Sequence, residues 1–179
     1  MTRIARLLSQ YAAYHLEPKN VMTHLLGIPM IVFALLCLTA RAEWQLFNIS
    51  MTLAALLMIL AVIYYLCLDG IFALVIAVIF ILIYPYALMV SHMALTDWLF
   101  ISILLFIVGW ILQFLGHFYE KKKPAFMDDL IGLLIGPLFV VAELFFLLGL
   151  RKSLQQQVLS QAKQLRARMD HSIIGDDHQ

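Results

Sequence analysis

The chain reads as an all-α, polytopic membrane protein, a helical bundle of about four full spans plus one broken or re-entrant segment. Three observations predict this. Hydrophobic residues make up 64% of the 179 and charged residues only 13%, whereas a soluble domain is roughly half apolar and a quarter charged. That surplus exceeds what a soluble core of this size can hide. The apolar residues also fall in long uniform runs, without the alternation that the strands of a β-barrel would need. The charges, finally, cluster between and beyond those runs, and their formal sum of +1 gives no basis for nucleic-acid binding.

Residues 25–40 are apolar but short, with Pro29 near their start. Residues 49–68 form an uncharged run of about twenty, enough at about 1.5 Å per residue to cross a hydrocarbon layer of roughly 30 Å. Asp69-Gly70 makes a tight turn, and residues 71–90 form the next span. Residues 99–115 follow Asp97 as another. Residues 130–150 are apolar but interrupted by Gly136-Pro137 and by Glu143. No internal repeat or low-complexity segment is evident. Cys37 and Cys67 lie within apolar runs and read as small buried hydrophobes rather than a disulfide. Arg3, Arg6, Glu17 and Lys19 occupy the first twenty residues without an apolar signal region, so no cleaved signal peptide is expected. Residues 1–150 are thus the expected membrane-embedded domain and 151–179 a polar tail. Within that tail Leu154, Val158, Ala162, Leu165 and Met169 recur at helical spacing, which reads as a solvated or interfacial surface helix.

Charge placement sets the orientation. Arg3, Arg6 and Lys19 precede the first span, Lys121, Lys122 and Lys123 follow the fourth, and Arg151, Lys152, Lys163, Arg166 and Arg168 follow the last. The positive-inside rule wants all three clusters in the cytoplasm. Four crossings satisfy the first two, and a fifth full crossing would strand the third. One end segment is therefore expected to dip or pair into a hairpin. Gly136-Pro137 favours residues 130–150, since broken helices are tolerated where protein or water satisfies the backbone. The host membrane would be the inner membrane in a bacterium or the endoplasmic reticulum in a eukaryote.

That topology makes a statement about the histidines. His24 lies at the cytoplasmic start of the first span, and His117 ends the fourth, which returns to the same side. His15 stands before a Glu17-Pro18 break that would end one helix, with Asn20 as a cap for the next. A bend there brings His15 and His24 together. His92, at the far end of the third span, belongs on the opposite face. Histidines at the ends of membrane spans are where such a protein would keep a metal. His15, His24 and His117 are the candidate ligands; His171 and His178 sit in the polar tail and read as solvated.

Each feature has a plainer reading. A lone interfacial histidine is most often an amphipathic residue near headgroups; three converging, with Asn20 and Glu120 beside them, weigh against that. Glu120 shares a helix face with His117, yet it would also pair with the adjoining lysines. Those lysines are chiefly a topology signal and anionic-lipid anchor. Glu143 is costly in hydrocarbon and so a functional candidate, or else a buried partner holding helices together. Asp69 reads as a turn residue, and Tyr64, Tyr65, Trp98 and Trp110 as packing or interface aromatics.

Two blocks bear a family likeness. Tyr11, His15, Pro18, Asn20, His24 and Gly27-Ile28-Pro29, in that order and spacing, resemble the opening of the 2-hydroxy fatty acid dioxygenases, small membrane proteins related to the enzyme that shortens 2-hydroxypalmitic acid. Gly109-Trp110-Ile111-Leu112-Gln113-Phe114-Leu115-Gly116-His117, then Glu120, Pro124-Ala125, Gly136-Pro137-Leu138-Phe139-Val140 and Glu143, resemble their second block. The likeness runs to about Arg151; the tail has no counterpart. It implies an iron(II)-dependent α-oxidation in which a 2-hydroxy fatty acid and dioxygen give the acid one carbon shorter.

The residues accommodate that implication. Non-haem iron(II) oxygenases use a few imidazole or carboxylate ligands and leave positions open. With His15, His24 and His117 as ligands to Fe(II), room remains for a 2-hydroxy carboxylate and for dioxygen. RCH(OH)COOH + O2 → RCOOH + CO2 + H2O balances without an outside reductant, so no flavin or 2-oxoglutarate site is required. Glu120 and Asn20 are candidates to orient the imidazoles, Glu120 alternatively a fourth ligand, and Glu143 a ligand partner or a brace for the broken helix. The expected partners are the 2-hydroxy fatty acid, dioxygen and membrane lipids. The alternative is a non-enzymatic transporter or scaffold whose histidines bind a metal ion or lipid headgroup, although no inverted halves of the transporter kind are visible. A haem held by two histidines is a third reading, with nothing else to specify a porphyrin pocket.

Overall fold

A computed structural model describes residues 2–122, 124 and 131–176. In order these form α1 (Arg3–Ala12), α2 (Pro18–Ala40), the strands β1 (Glu43–Leu46) and β2 (Ile49–Thr52), α3 (Leu53–Leu66), α4 (Gly70–Ser91), α5 (Leu95–Glu120), α6 (Ile131–Leu147) and α7 (Lys152–Asp176). Lys123, Ala125, Leu130 and His178 lie outside the described residues. The protein is the expected all-α membrane bundle. Among the described residues α2, α4 and α5 are each long and apolar enough to cross a membrane, and α6 with α7, bent by 120°, makes a fourth span if the pair is counted as one.

The chain divides into two compact units, Met1–Thr23 with Phe114–Gln179, and His24–Gln113. Both divisions fall inside helices, α2 and α5, that run through them unbroken. In the second unit Leu36, Cys37, Ala40, Ala54 and Ala87 form a buried cluster. Trp98 Nε1 donates to the Cys37 carbonyl at 2.8 Å, and Arg41 lies over the Trp98 ring at 4.6 Å. The same guanidinium donates to the Ser91 and Met93 carbonyls, each at 3.2 Å. A cation there answers the partial negative charge at the C-terminus of α4. Asp69 does more than turn the chain: its Oδ1 accepts from the Ile71 and Phe72 amides and so caps α4. Cys37 and Cys67 are both free. Large apolar side chains point outward, Ile81 and Phe100 being 70% and 68% exposed, a surface suited to lipid and costly in water.

α2 and α5 meet glycine to glycine. A Cβ on Gly109 would lie 2.6 Å from Ile31 Cγ1 and 2.9 Å from the Gly27 carbonyl oxygen, and one on Gly27 would lie 2.8 Å from the Gly109 oxygen. Small residues that let two backbones approach are the usual means of helix association in lipid. Because the obstructing atoms include backbone, Gly109→Val is expected to destabilise the fold by about 1–3 kcal/mol. A melting temperature in detergent unchanged from wild type would rule that out.

Three sequence expectations shift in detail. The short run at 25–40 belongs to a complete span, because α2 already starts at Pro18, where a missing N–H costs nothing. Asn20 therefore sits inside the first turn of α2 and is not its cap. The run at 49–68 is divided: its first four residues are β2, paired antiparallel with β1. Phe47 and Asn48 form the two-residue turn, both at positive φ (49° and 63°), as a hairpin's right-handed twist requires. Thr52 caps α3, which has only 14 residues; at about 21 Å it falls short of a roughly 30 Å layer. The break near the C-terminus lies elsewhere than Gly136-Pro137, since α6 runs through Pro137. The chain turns instead after α6, where Gly149 takes φ 72°. There Leu150 N donates to Phe145 O at 2.8 Å and Gly149 N to Phe146 O at 3.0 Å, the pair of bonds that closes a helix with glycine in the left-handed region.

In the first unit α1 packs on α6 and α7. It offers Ile4, Ala5, Leu8, Tyr11 and Ala12, all buried, at the three- and four-residue steps of one helix face. The apolar stripe read in the tail is real, but it faces protein: Val158 and Ala162 are buried. The tail helix is thus a surface helix packed on protein along one face, its other face exposed.

Candidate metal centre

Three segments carry the histidines. After α1 the chain turns tightly, Tyr14 N donating to Tyr11 O and His15 N to Ala12 O at 3.1 and 2.9 Å. Pro18 then prevents the first helix from simply continuing and opens the second. His15 sits in this turn, His24 on α2 and His117 in the last turn of α5. Each offers one ring nitrogen to a group whose atoms all lie within 4.8 Å of one another, and all three residues are buried. The convergence expected from topology is therefore present. His92, the C-terminal cap of α4, is exposed and stands outside the group, as expected.

His15 is held on several sides. Its Nδ1 lies 2.6 Å from the Tyr11 carbonyl oxygen. A carbonyl only accepts, so Nδ1 carries the proton and Nε2 presents the lone pair. Fixing the tautomer and the ring's direction in this way is how proteins prepare an imidazole ligand. The Tyr11 ring stacks on His15 at 4.2 Å with planes 7° apart. Phe139 approaches from α6 at 5.4 Å, and the His117 ring stands edge-on at 4.9 Å. Burial pushes the Tyr11 phenol far up, so it stays protonated at any physiological pH and is a packing wall, not a base.

Glu120, one turn beyond His117, is the second centre of the site. Its Oε2 accepts from the Glu17 amide at 2.8 Å and from Asn20 Nδ2 at 3.1 Å. Its Oε1 accepts from the Leu16 amide at 3.2 Å and forms an ion pair with Arg166 of α7. The carboxylate thus holds the two residues just before α2 from another helix, close to an N-terminus whose dipole favours an anion. Asn20 bridges, donating to Glu120 and also to Tyr14 O at 3.0 Å. Since Leu16 directly follows His15, Glu120 ties the segment bearing one imidazole to the helix bearing another. The metal-capable group contains the three imidazoles and not Glu120. Among the described residues Glu120 does not pair with Lys121 or Lys122: its cation is Arg166, while Lys122 reaches Asp170 at 2.5 Å.

Glu143 is half-buried on α6, one turn on from Phe139, and is not in the metal-capable group. Sequence reasoning gave no role in the site to three residues now seen there. Tyr11 was noted only in the family likeness, although it stands four residues before His15, a spacing that places both on one face. Phe139 was likewise noted only in that likeness, and Arg166 only as part of a basic cluster. Arg166 stands four residues after Ala162 and eight after Val158, which would have placed it on the buried face of α7 once that face was known to meet protein.

A buried set of three imidazoles, one with its tautomer fixed by a carbonyl, suits a divalent transition metal. The fold and the site together define a small helical membrane protein with a buried, metal-capable histidine cluster. Residues 1–148 match the family described as 2-hydroxy-palmitic acid dioxygenase Mpo1-like, and the chain belongs to that family. A relative from the yeast Saccharomyces cerevisiae (strain ATCC 204508 / S288c), the 2-hydroxy-palmitic acid dioxygenase MPO1, is 36% identical over 142 residues, covering 78% of each chain. No solved structure matches.

Proposed function

We propose that this protein is an iron(II)-dependent dioxygenase that converts 2-hydroxy fatty acids to the acid one carbon shorter with release of CO2. The observation that carries this is the meeting of His15, His24 and His117 within 4.8 Å in a chain whose relative is named for that reaction. These three would hold the metal, and three protein ligands leave room beside it for a 2-hydroxy carboxylate. Iron(II), when bound, supplies the one-electron chemistry that lets dioxygen react with a closed-shell substrate. The protein's own work is positional. Tyr11 O keeps Nδ1 of His15 protonated and its Nε2 directed inward, and Glu120 with Asn20 holds the His15 segment against α5. Tyr11 and Phe139 wall the site with rings, excluding water from one side. Glu143 is a candidate for orienting groups deeper among the helices.

By the positive-inside rule, the basic residues next to His24 and His117 put the metal at the cytoplasmic face, where the polar head of a fatty acid can reach it with the chain among the spans. Purified protein, loaded anaerobically with iron and given 2-hydroxypalmitate, is expected to consume dioxygen in step with formation of the fifteen-carbon acid. Iron-replete, folded protein that takes up no dioxygen with any 2-hydroxy chain length would overturn the proposal. A metal-free preparation that cannot be loaded would favour the transporter or scaffold reading, and a Soret band would mean haem.

A further inference from the structure

We infer that the C-terminal helix α7 is a working part of the metal centre, with Arg166 as the positioning residue that holds Glu120 on the Leu16–Glu17 link. The inference rests on the proposed metal-binding role of the three histidines. The match to the family ends at residue 148, so α7 lies beyond the matched segment. Yet it supplies the cation for the most buried acid of the site: the Glu120 side chain is 2% exposed and that of Arg166 13%. A buried carboxylate is tolerable only when paired and fully hydrogen-bonded. Both Nη atoms of Arg166 reach Oε1, Nη1 at 3.1 Å. The other oxygen is left to the Glu17 amide and Asn20.

The placement of α7 is specific. Val158, Ala162, Arg166 and Asp170 recur every four residues and so share one face. The first two are buried, the third pairs with Glu120, and the fourth bridges to Lys122 at 2.5 Å. Lys122 stands two residues beyond Glu120, so two ion pairs dock α7 on the end of α5, beside His117. The exposed Asp170 pair contributes little by itself. The Arg166 pair is the one that matters for the site. Without it Glu120 is drawn toward solvent, its bonds to Leu16 and Glu17 lapse, and the segment carrying His15 loses its fixed distance from α5.

The test uses the full-length protein in detergent, with anaerobic Fe(II) titration and amide hydrogen exchange of the metal-free form. Arg166→Met is expected to raise the Fe(II) dissociation constant by roughly 10–100-fold, the usual effect of losing a residue that supports a ligand. It should also speed exchange at Leu16 and Glu17 while leaving α4 unchanged. Arg166→Lys, which keeps the charge without the planar fork, should fall between and serves if the Met variant does not fold. Asp170→Asn should leave both readouts within twofold of wild type. Unchanged Fe(II) affinity and unchanged exchange at Leu16 and Glu17 in either Arg166 variant would overturn the inference. Wild-type protein that binds no Fe(II) would instead refute the metal-site reading, and the exchange rates would still decide whether Arg166 holds the link.

Discussion

Replacing His24 or His117 by alanine is expected to abolish both iron binding and turnover, and His15→Ala to do the same. Each substitution takes a buried donor from a group of three. Two imidazoles plus a bidentate substrate leave the ion without a stable resting site in the protein. Histidine pairs do bind metals, but weakly unless other ligands complete the set, and among the described residues the group contains no carboxylate or thiolate to substitute. His92→Ala is the control: the residue caps α4 on the surface, and its loss should leave iron content and oxygen uptake close to wild type. Iron content measured on purified variants, with melting temperatures alongside, separates ligand loss from unfolding. Full iron in the His24 or His117 variant would end the three-histidine reading. Loss of iron in the His92 variant would show that the span topology is wrong.

Glu120→Ala should be among the most destabilising single changes outside the ligands themselves. It removes the acceptor for two backbone amides and Asn20 and leaves Arg166 with an uncompensated charge. Breaking a buried pair by deleting one partner costs about 3–5 kcal/mol. Asn20→Ala, which removes a neutral donor, should cost nearer 1 kcal/mol. Denaturant unfolding in a single detergent would measure both. A loss under about 1 kcal/mol for Glu120→Ala would mean that water replaces the carboxylate and that the buried network matters little. Because Arg166 and Glu120 act through one contact, their double variant should be much less destabilised than the sum of the singles.

Much of this protein was legible before its structure. Composition and uncharged runs are sums over neighbouring residues, and they sufficed for a helical membrane bundle. The histidine convergence was expected from a count of four crossings, but that count included residues 49–68, whose helix α3 has only 14 residues. Between His24 and His117, α2, α4 and α5 are the helices long enough to span. The meeting of the three imidazoles is therefore a result of the tertiary structure. The Glu17-Pro18 step marked a helix boundary because proline's ring constrains its own backbone and its predecessor's whatever the surroundings. Local signals failed where a longer-range contact outweighed them. Gly136-Pro137 looked like a break, but α6 passes through it and stops instead at Gly149, whose left-handed backbone allows the capping bonds. Residues 49–52 read as the start of a span because they carry no charge, and pairing with residues 43–46 made them a strand.

The sequence by itself determined the class and the principal helices, since each depends on residues close along the chain. Tertiary structure decided which group holds the Leu16–Glu17 link, which cation Glu120 takes and what the apolar face of α7 covers. Those outcomes depend on atoms brought within about 3 Å from residues roughly fifty to a hundred positions apart. A carboxylate's nearest cation along the chain need not be its nearest in space. In a buried site it is distance and desolvation, not sequence separation, that choose the partner.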